Sequence, residues 1–376
     1  MTATATLDRD RLSELVTRAR REVDEGLLPS CQVALAWRGE LEVFEAIGDT
    51  TPDTRYPVFS CTKPIVAGAV WALIGDGLVD VATPAADYVP ELASNGMDAI
   101  TVEQVMLHTS GFPHAPLGPP AWATREGRLA AFARWRCNWE PGSRYEYHAT
   151  SAHWVLAEII ERVTGDDFRD VVAERVTGPA GIARRVLGVP GDEQDGIATA
   201  EVRGEPPTPE ELGAIFGVPE LPITEVTDEA LLLQNRPEVR EVGVPGGGAF
   251  MTAAELARFY QAILADDGAI WDPAVLADAT TNVRNRFPDP LIGVPANRTL
   301  GLVVAGDDGK SAVRGFGHTV SPAAFGHPGA GGQLAWADPA SGLSFAYLTN
   351  GLDRHVIRMH RRGAGIASRA GACAPA

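Results

Sequence analysis

Residues 64–78 read PIVAGAVWALIGDGL, a stretch that is apolar nearly all the way round a helix. A helix without a polar face has to be covered on every side. The remaining chain must therefore wrap this segment. At 376 residues it is long enough to do so, either as one large domain or as two.

The flanking sequence shows what could do the covering. Residues 8–26 have helical periodicity, with Leu12, Leu15, Val16 and Val23 on one side. Two strand-like runs follow, 32–37 and 41–46, joined by the hairpin signal Arg38-Gly39-Glu40. Helices are expected through much of 84–190. One opens at Thr101 with Gln104 as its capping partner, and another, 151–163, stops at Gly165. Residues 200–245 are rich in Pro and Glu and weakly periodic, which predicts a long loop or insertion beside a site. After Gly246-Gly247-Gly248 a helix is expected over 253–265, then strands over 299–304, 333–337 and 343–348. A last helix over 356–368, with a frayed tail, ends the chain.

Strands at both ends and helices between them predict an α+β fold: an antiparallel sheet formed from both termini and flanked by helices, with a mostly helical domain inserted. The expected division is 1–55 with 245–376 for the sheet domain, and 56–244 for the helical one, with its long loop near 200–244.

Charge and composition remove several classes of function. With 32 basic and 49 acidic residues the formal charge is −17, so the chain is a poor partner for nucleic acid. Residues 1–11 lack the basic start and apolar core of a secretory signal. No apolar run approaches the roughly 20 residues that span a bilayer. The expectation is a cytoplasmic protein without a membrane partner. Cys31, Cys61, Cys137 and Cys373 lie far apart and read as reduced thiols. His114, His148, His153, His318, His355 and His360 form no metal-ligand pattern, so no metal is expected.

Chemistry is concentrated where the apolar helix begins, at Ser60-Cys61-Thr62-Lys63. Residues at i and i+3 share a helix face, so hydroxyl and amine point the same way. An amine whose pKa is lowered by burial can take the serine proton, and N–H groups at a helix start can stabilise an oxyanion. The bland alternative makes Ser60 a cap and Lys63 a solvated surface charge. Composition opposes it, because the chain has 30 arginines and only two lysines, Lys63 and Lys310. Lysine is the basic residue that can become neutral at working pH.

Two further segments are weaker alone. Tyr147, in Pro141-Gly142-Ser143-Arg144-Tyr145-Glu146-Tyr147-His148-Ala149, could relay a proton, although by itself it reads as a core tyrosine. Residues 325–332, FGHPGAGG, could bring backbone N–H groups to an oxyanion, although by themselves they read as a turn. No Gly-Lys-Ser/Thr follows them, which excludes a P-loop. His108-Thr109-Ser110-Gly111 reads as the end of a helix. No Gly-x-Ser-x-Gly elbow occurs anywhere in the chain.

In this order the motifs resemble the serine β-lactamase-like superfamily, above all its class C branch and the related family VIII carboxylesterases. The resemblance runs through Ser60-x-x-Lys63, Leu107-His108-Thr109-Ser110-Gly111, Pro141-Gly142 to Tyr147, Gly246-Gly247-Gly248 and His327-x-Gly329, nearly the whole chain. It implies Ser60 as nucleophile, Lys63 and Tyr147 as general base and acid, and the N–H groups of Ser60 and Ala330 as oxyanion hole. It also implies substrate contacts from Ala149, His327 and Gly329, and needs no cofactor. Two departures stand out. Ala149 replaces the usual asparagine of the second motif, and His327 stands where the lactamases carry a lysine. Both weaken an amide or β-lactam substrate. A small-molecule ester is therefore the expected substrate, with cleavage of small or medium acyl groups through a Ser60 acyl-enzyme. Amide hydrolysis (a D-amino acid peptidase or β-lactamase) and acyl transfer are the enzyme alternatives within the superfamily, and the non-enzyme alternative is a penicillin-binding-like scaffold that has lost its chemistry and keeps only ligand binding.

Overall fold

The computed structural model describes residues 6–220 and 225–375. Helix α1 (Arg9–Asp24) leads into β1 (Ser30–Trp37) and β2 (Glu40–Gly48). The apolar helix is α2 (Thr62–Gly75), followed later by α3 (Ser151–Thr164) and α4 (Ala253–Ala265). Strands β3 (Val303–Val304), β4 (Phe325–Gly326), β5 (Leu334–Asp338) and β6 (Leu343–Thr349) then precede α5 (Val356–Gly371). The six strands form one antiparallel sheet in the order β2-β1-β6-β5-β4-β3. Strand β1 pairs with β6 from Cys31↔Thr349 to Trp37↔Leu343, so the two ends of the chain meet inside the sheet.

Alternation along the strands sorts large side chains from small ones. Val33, Leu35, Trp37, Trp336, Phe345 and Tyr347 face α1 and α5, meeting Leu15, Ala19, Ile366 and Ala370. The opposite face carries Ala34, Ala335, Ala337 and Ala346, and these join the core that holds α2 and α4. Small residues let α4 approach closely enough for Gln261 Nε2 to donate to the Ala36 carbonyl at 3.1 Å and to Ser344 Oγ at 3.1 Å. Helix α2 is sequestered from Thr62 to Leu73, as its composition demands. Trp71 of that helix donates through Nε1 to the Leu300 carbonyl at 2.7 Å, and Trp271 donates to the Gly68 carbonyl at 2.8 Å. No helix among the described residues is long and apolar enough to cross a membrane.

Three expectations need correction. Residues 200–245 are not one long loop. Their described part holds a strand (Glu201–Arg203) and helices over Pro209–Phe216, Asp228–Leu232 and Pro237–Val242. Pro209 and Pro237 stand in the first turn of their helices, where a missing N–H costs nothing, and Thr208 closes a capping box with Glu211. The end of the chain is not frayed through 375, because Cys373 is fully buried against the α1 side of the sheet. The strand expected over 299–304 is paired only at Val303–Val304. Ahead of it the backbone turns at Gly301, with φ of 100°. A Cβ there would lie 2.4 Å from the Ala67 side chain of α2. Gly301→Val should therefore lower stability by about 1–3 kcal/mol through strain and overpacking, read as a fall in the urea midpoint. An unchanged midpoint would mean that α2 can move aside.

Candidate active site

A short 3₁₀ turn, Phe59–Cys61, runs directly into α2 and carries Ser60. Phe59, just before the serine, has φ of 45°, a left-handed conformation that bulky residues avoid. That kink leaves Ser60 partly exposed while both neighbours are buried.

Lys63, one turn further on, is 1% exposed. Its Nζ lies 2.6 Å from the Gly246 carbonyl, 2.8 Å from the Ala149 carbonyl and 3.3 Å from Ser60 Oγ. Burial, and next the charge of Arg298, push the Lys63 pKa well below the ordinary 10.5. A neutral amine has two N–H donors and one lone pair. Two carbonyls take the donors, which leaves the lone pair for the Ser60 hydroxyl. Gly246 makes this packing possible: a Cβ there would sit 2.8 Å from the Ala149 carbonyl and 3.5 Å from Nζ.

The Tyr147 hydroxyl donates to Ser60 Oγ at 2.8 Å. Burial raises its pKa above the ordinary 10, so it keeps its proton at neutral pH. Lys63 Nζ lies 4.8 Å from the centre of the same ring. Ser60 Oγ therefore accepts from tyrosine on one side and can donate to lysine on the other.

Behind Tyr147 lies a bed of buried imidazoles. His108 stacks at 5.0 Å from the Tyr147 ring, and its Nδ1 accepts from the His148 backbone N–H at 3.1 Å. His148 is satisfied as a neutral ring: Nδ1–H donates to the Glu146 carbonyl at 2.7 Å, and Nε2 accepts from the Phe112 N–H at 3.2 Å. Protonating Nε2 would set two donors against each other. Burial brings the His148 pKa down to about 3 and lowers those of His108, His153 and His327 as well.

Ser60, Ala149, Gly246 and Ala330 line one cleft of about 280 Å³, whose walls include Pro116, Leu117, Trp122, Leu231 and Glu225. A larger groove of about 620 Å³, where α1 and α5 present arginines interleaved with Glu22, Glu25 and Glu211, contains neither Ser60 nor Lys63. Among the described residues no group of three His, Cys, Asp or Glu is placed to hold a metal.

Comparison with known proteins fits this arrangement. The Beta-lactamase family profile matches residues 15–367. The chain belongs to the Beta-lactamase family. Among curated relatives, the esterase/beta-lactamase LipL of Mycobacterium tuberculosis is 29% identical, over 83% of this chain and 72% of that protein. Esterase EstB of Burkholderia gladioli is 29% identical, over 79% of this chain and 78% of its own. A penicillin-binding protein homologue from Caulobacter crescentus superposes with a TM-score of 0.77 at 25% identity, covering 98% of this chain and 99% of that one. A family VIII carboxylesterase superposes with a TM-score of 0.76 at 24% identity, covering 96% and 97%, a likeness of fold.

Within this family fold the residues singled out from the sequence separate into two groups. Lys63 and Tyr147 each come within hydrogen-bonding distance of Ser60, and Ala149 and Ala330 share the cleft with Ser60. His327 is 3% exposed, and neither it nor Gly329 is part of the cleft lining. Both His327 ring nitrogens are engaged inside the protein. Nδ1–H donates to the Pro328 carbonyl at 2.7 Å, and Nε2 accepts from Arg298 Nη1 at 3.1 Å. Gly329 donates to the Gln333 carbonyl at 2.9 Å, closing the turn before β5. Sequence reasoning missed Arg298, which puts a guanidinium beside His327, where the third motif had left the site without a positive charge. Nothing local marks it among 30 arginines.

The buried imidazoles tie stability to pH. Their folded-state pKa values lie below the unfolded value of about 6.5, so the unfolded chain binds more protons as pH falls. Their contribution is present above about pH 6.5 and is lost below it, by up to about 1.4 kcal/mol per group per pH unit. The melting temperature, followed by circular dichroism, should fall between pH 7.5 and pH 5. A flat profile would contradict a neutral cluster.

Proposed function

We propose that this protein is a carboxylesterase that cleaves small or medium acyl esters through an acyl-enzyme on Ser60. The observation that carries the reading is the unbroken arrangement of Tyr147 hydroxyl, Ser60 Oγ and Lys63 Nζ at 2.8 and 3.3 Å. Ser60 Oγ attacks the ester carbonyl carbon and its proton passes to the Lys63 lone pair. The carbonyl oxygen becomes an oxyanion, held by the backbone N–H groups of Ser60 and Ala330. As the tetrahedral intermediate collapses, the C–O bond to the alcohol breaks. The alkoxide takes a proton from the Tyr147 hydroxyl, and Tyr147 recovers one from Lys63. Water then attacks the acyl-enzyme by the same route in reverse, releasing the acid and restoring Ser60.

Lys63 is the base in the resting enzyme because the two groups are pushed in opposite directions: the amine towards neutral, the phenol towards protonated. The preference for an ester rests on Ala149, whose methyl offers no amide to an amide substrate. The apolar side chains of Leu117, Trp122 and Leu231 in the cleft wall support an uncharged acyl chain. The esterases named among its relatives point the same way.

Hydrolysis of p-nitrophenyl butyrate by the wild type beside Ser60→Ala tests the reading. Wild-type turnover should fall by at least about 10³-fold on mutation, with the circular dichroism spectrum unchanged. Turnover that survives in Ser60→Ala would overturn it. Lys63→Arg should be nearly as damaging, because a guanidinium cannot become a neutral base. Tyr147→Phe should lower kcat by about 10²–10⁴-fold, and a near-normal rate would leave Tyr147 a packing residue.

A further inference from the structure

Arg298 is the one strong cation of the site region that this mechanism does not use. It is 6% exposed and sits in the segment that leads to β3. Its Nε donates to the Tyr145 hydroxyl at 3.0 Å and its Nη1 to His327 Nε2 at 3.1 Å, two neutral acceptors. Its backbone is pinned as well, exchanging hydrogen bonds with Asn285 in both directions at 3.1 and 3.0 Å. The guanidinium carbon lies 5.2 Å from the centre of the Tyr147 ring and 5.4 Å from that of Tyr145. Tyr147 thus has Lys63 and Arg298 against the same ring.

We propose that Arg298 is a positioning residue for the Ser60 reaction: a permanent buried charge, clamped by Tyr145 and His327 against the ring that Lys63 also faces, that keeps a second positive charge off Lys63. The inference rests on the reading of Lys63 as the base. Geometry favours this role over direct contact with substrate, because Arg298 is buried and directs its Nε and Nη1 donors to the buried Tyr145 and His327.

Among the described residues, Arg298 is the one fixed charge acting on Lys63. Cys61 on the same helix is a buried thiol whose pKa is raised, so it is uncharged. Tyr147 from the turn before α3, His153 of α3, His108 from the preceding helix end and His327 beside β4 are all held neutral by burial. The last two partners, Ala149 and Gly246, present carbonyls. No carboxylate contributes to the Lys63 environment, and the Arg298 charge acts on Lys63 in the same direction as burial. His327 has its one N–H on the Pro328 carbonyl, so its lone pair is fixed towards Arg298. This assigns the histidine of the third motif to holding a cation in place.

The test is the pH dependence of kcat/KM for the neutral ester p-nitrophenyl butyrate, in the wild type, Arg298→Met and Arg298→Lys. The acid limb reports the need for an unprotonated Lys63. Removing the guanidinium should raise the Lys63 pKa, so in Arg298→Met the limb should move up by about one pH unit or more. At pH values below the wild-type limb this is about a tenfold loss, while the alkaline plateau falls much less. Arg298→Lys, whose buried amine would meet the same neutral partners and lose its charge as Lys63 does, should move the limb in the same direction. Arg298→Gln, which retains a donor, is read in the same way should the Met variant fail to fold by circular dichroism. An unmoved limb in a folded Arg298→Met or Arg298→Gln variant would overturn the proposal. A raised KM for an anionic ester with an unmoved limb for the neutral one would make Arg298 a ligand-binding residue instead, and would equally overturn it. Failure of the underlying esterase reading shows separately, as absence of covalent labelling of wild-type Ser60 by a fluorophosphonate.

Discussion

Burying the Lys63 amine forces three remote parts of the chain to meet. The start of α2 supplies the lysine, the turn before α3 supplies the Ala149 carbonyl, and the glycine run before α4 supplies the Gly246 carbonyl. An ammonium in so dry a place would need a carboxylate, and none contributes to its environment. The fold instead offers two carbonyls, which match the two N–H bonds of a neutral amine. With those bonds made, the remaining lone pair can face only Ser60. A structural requirement, that no buried donor be left unpaired, and the catalytic one of the proposed mechanism, that a base face the nucleophile, are met by the same geometry.

The surroundings extend that logic outward. Tyr147 is flanked by Lys63, Arg298 and the His108 ring, so its hydroxyl is held on Ser60 by contacts on its ring. His108 in turn accepts from the backbone of His148, whose own ring is satisfied only when neutral. The Leu107-to-Gly111 segment, which reads as a simple helix end, is thus the support on which the tyrosine rests. The sheet contributes by placing β4 and β5 so that the turn between them brings Ala330 beside Phe59, next to Ser60.

Much of this was legible in the amino-acid sequence, for identifiable reasons. Ser60 and Lys63 are three residues apart, and local helical geometry is enough to put them together. The sheet was legible because β1, β2, β5 and β6 are bounded by turn residues and alternate or run apolar between them. Tyr147 and Ala330 were legible only through the order of motifs along the chain, because their approach to Ser60 depends on tertiary packing. Arg298 was not legible at all: its partners Tyr145 and His327 are brought to it by the fold, and its neighbours in sequence carry no signal. The short helices after residue 204 were missed because a Pro- and Glu-rich stretch of weak periodicity reads as a loop, whereas Pro209 and Pro237 each begin a helix. Strand β3 is short because Gly301 bends the chain against α2, a constraint set by Ala67 across the core.

With two lysines in the chain, the state of Lys63 can be observed directly. Protein labelled with ¹³C and ¹⁵N in lysine alone should give two side-chain signals by NMR, assigned through Lys310→Arg. Titration from pH 6 to pH 11 should show Lys63 already in its neutral form at pH 7.5. A Lys63 signal that is still that of an ammonium at pH 7.5 would contradict the account.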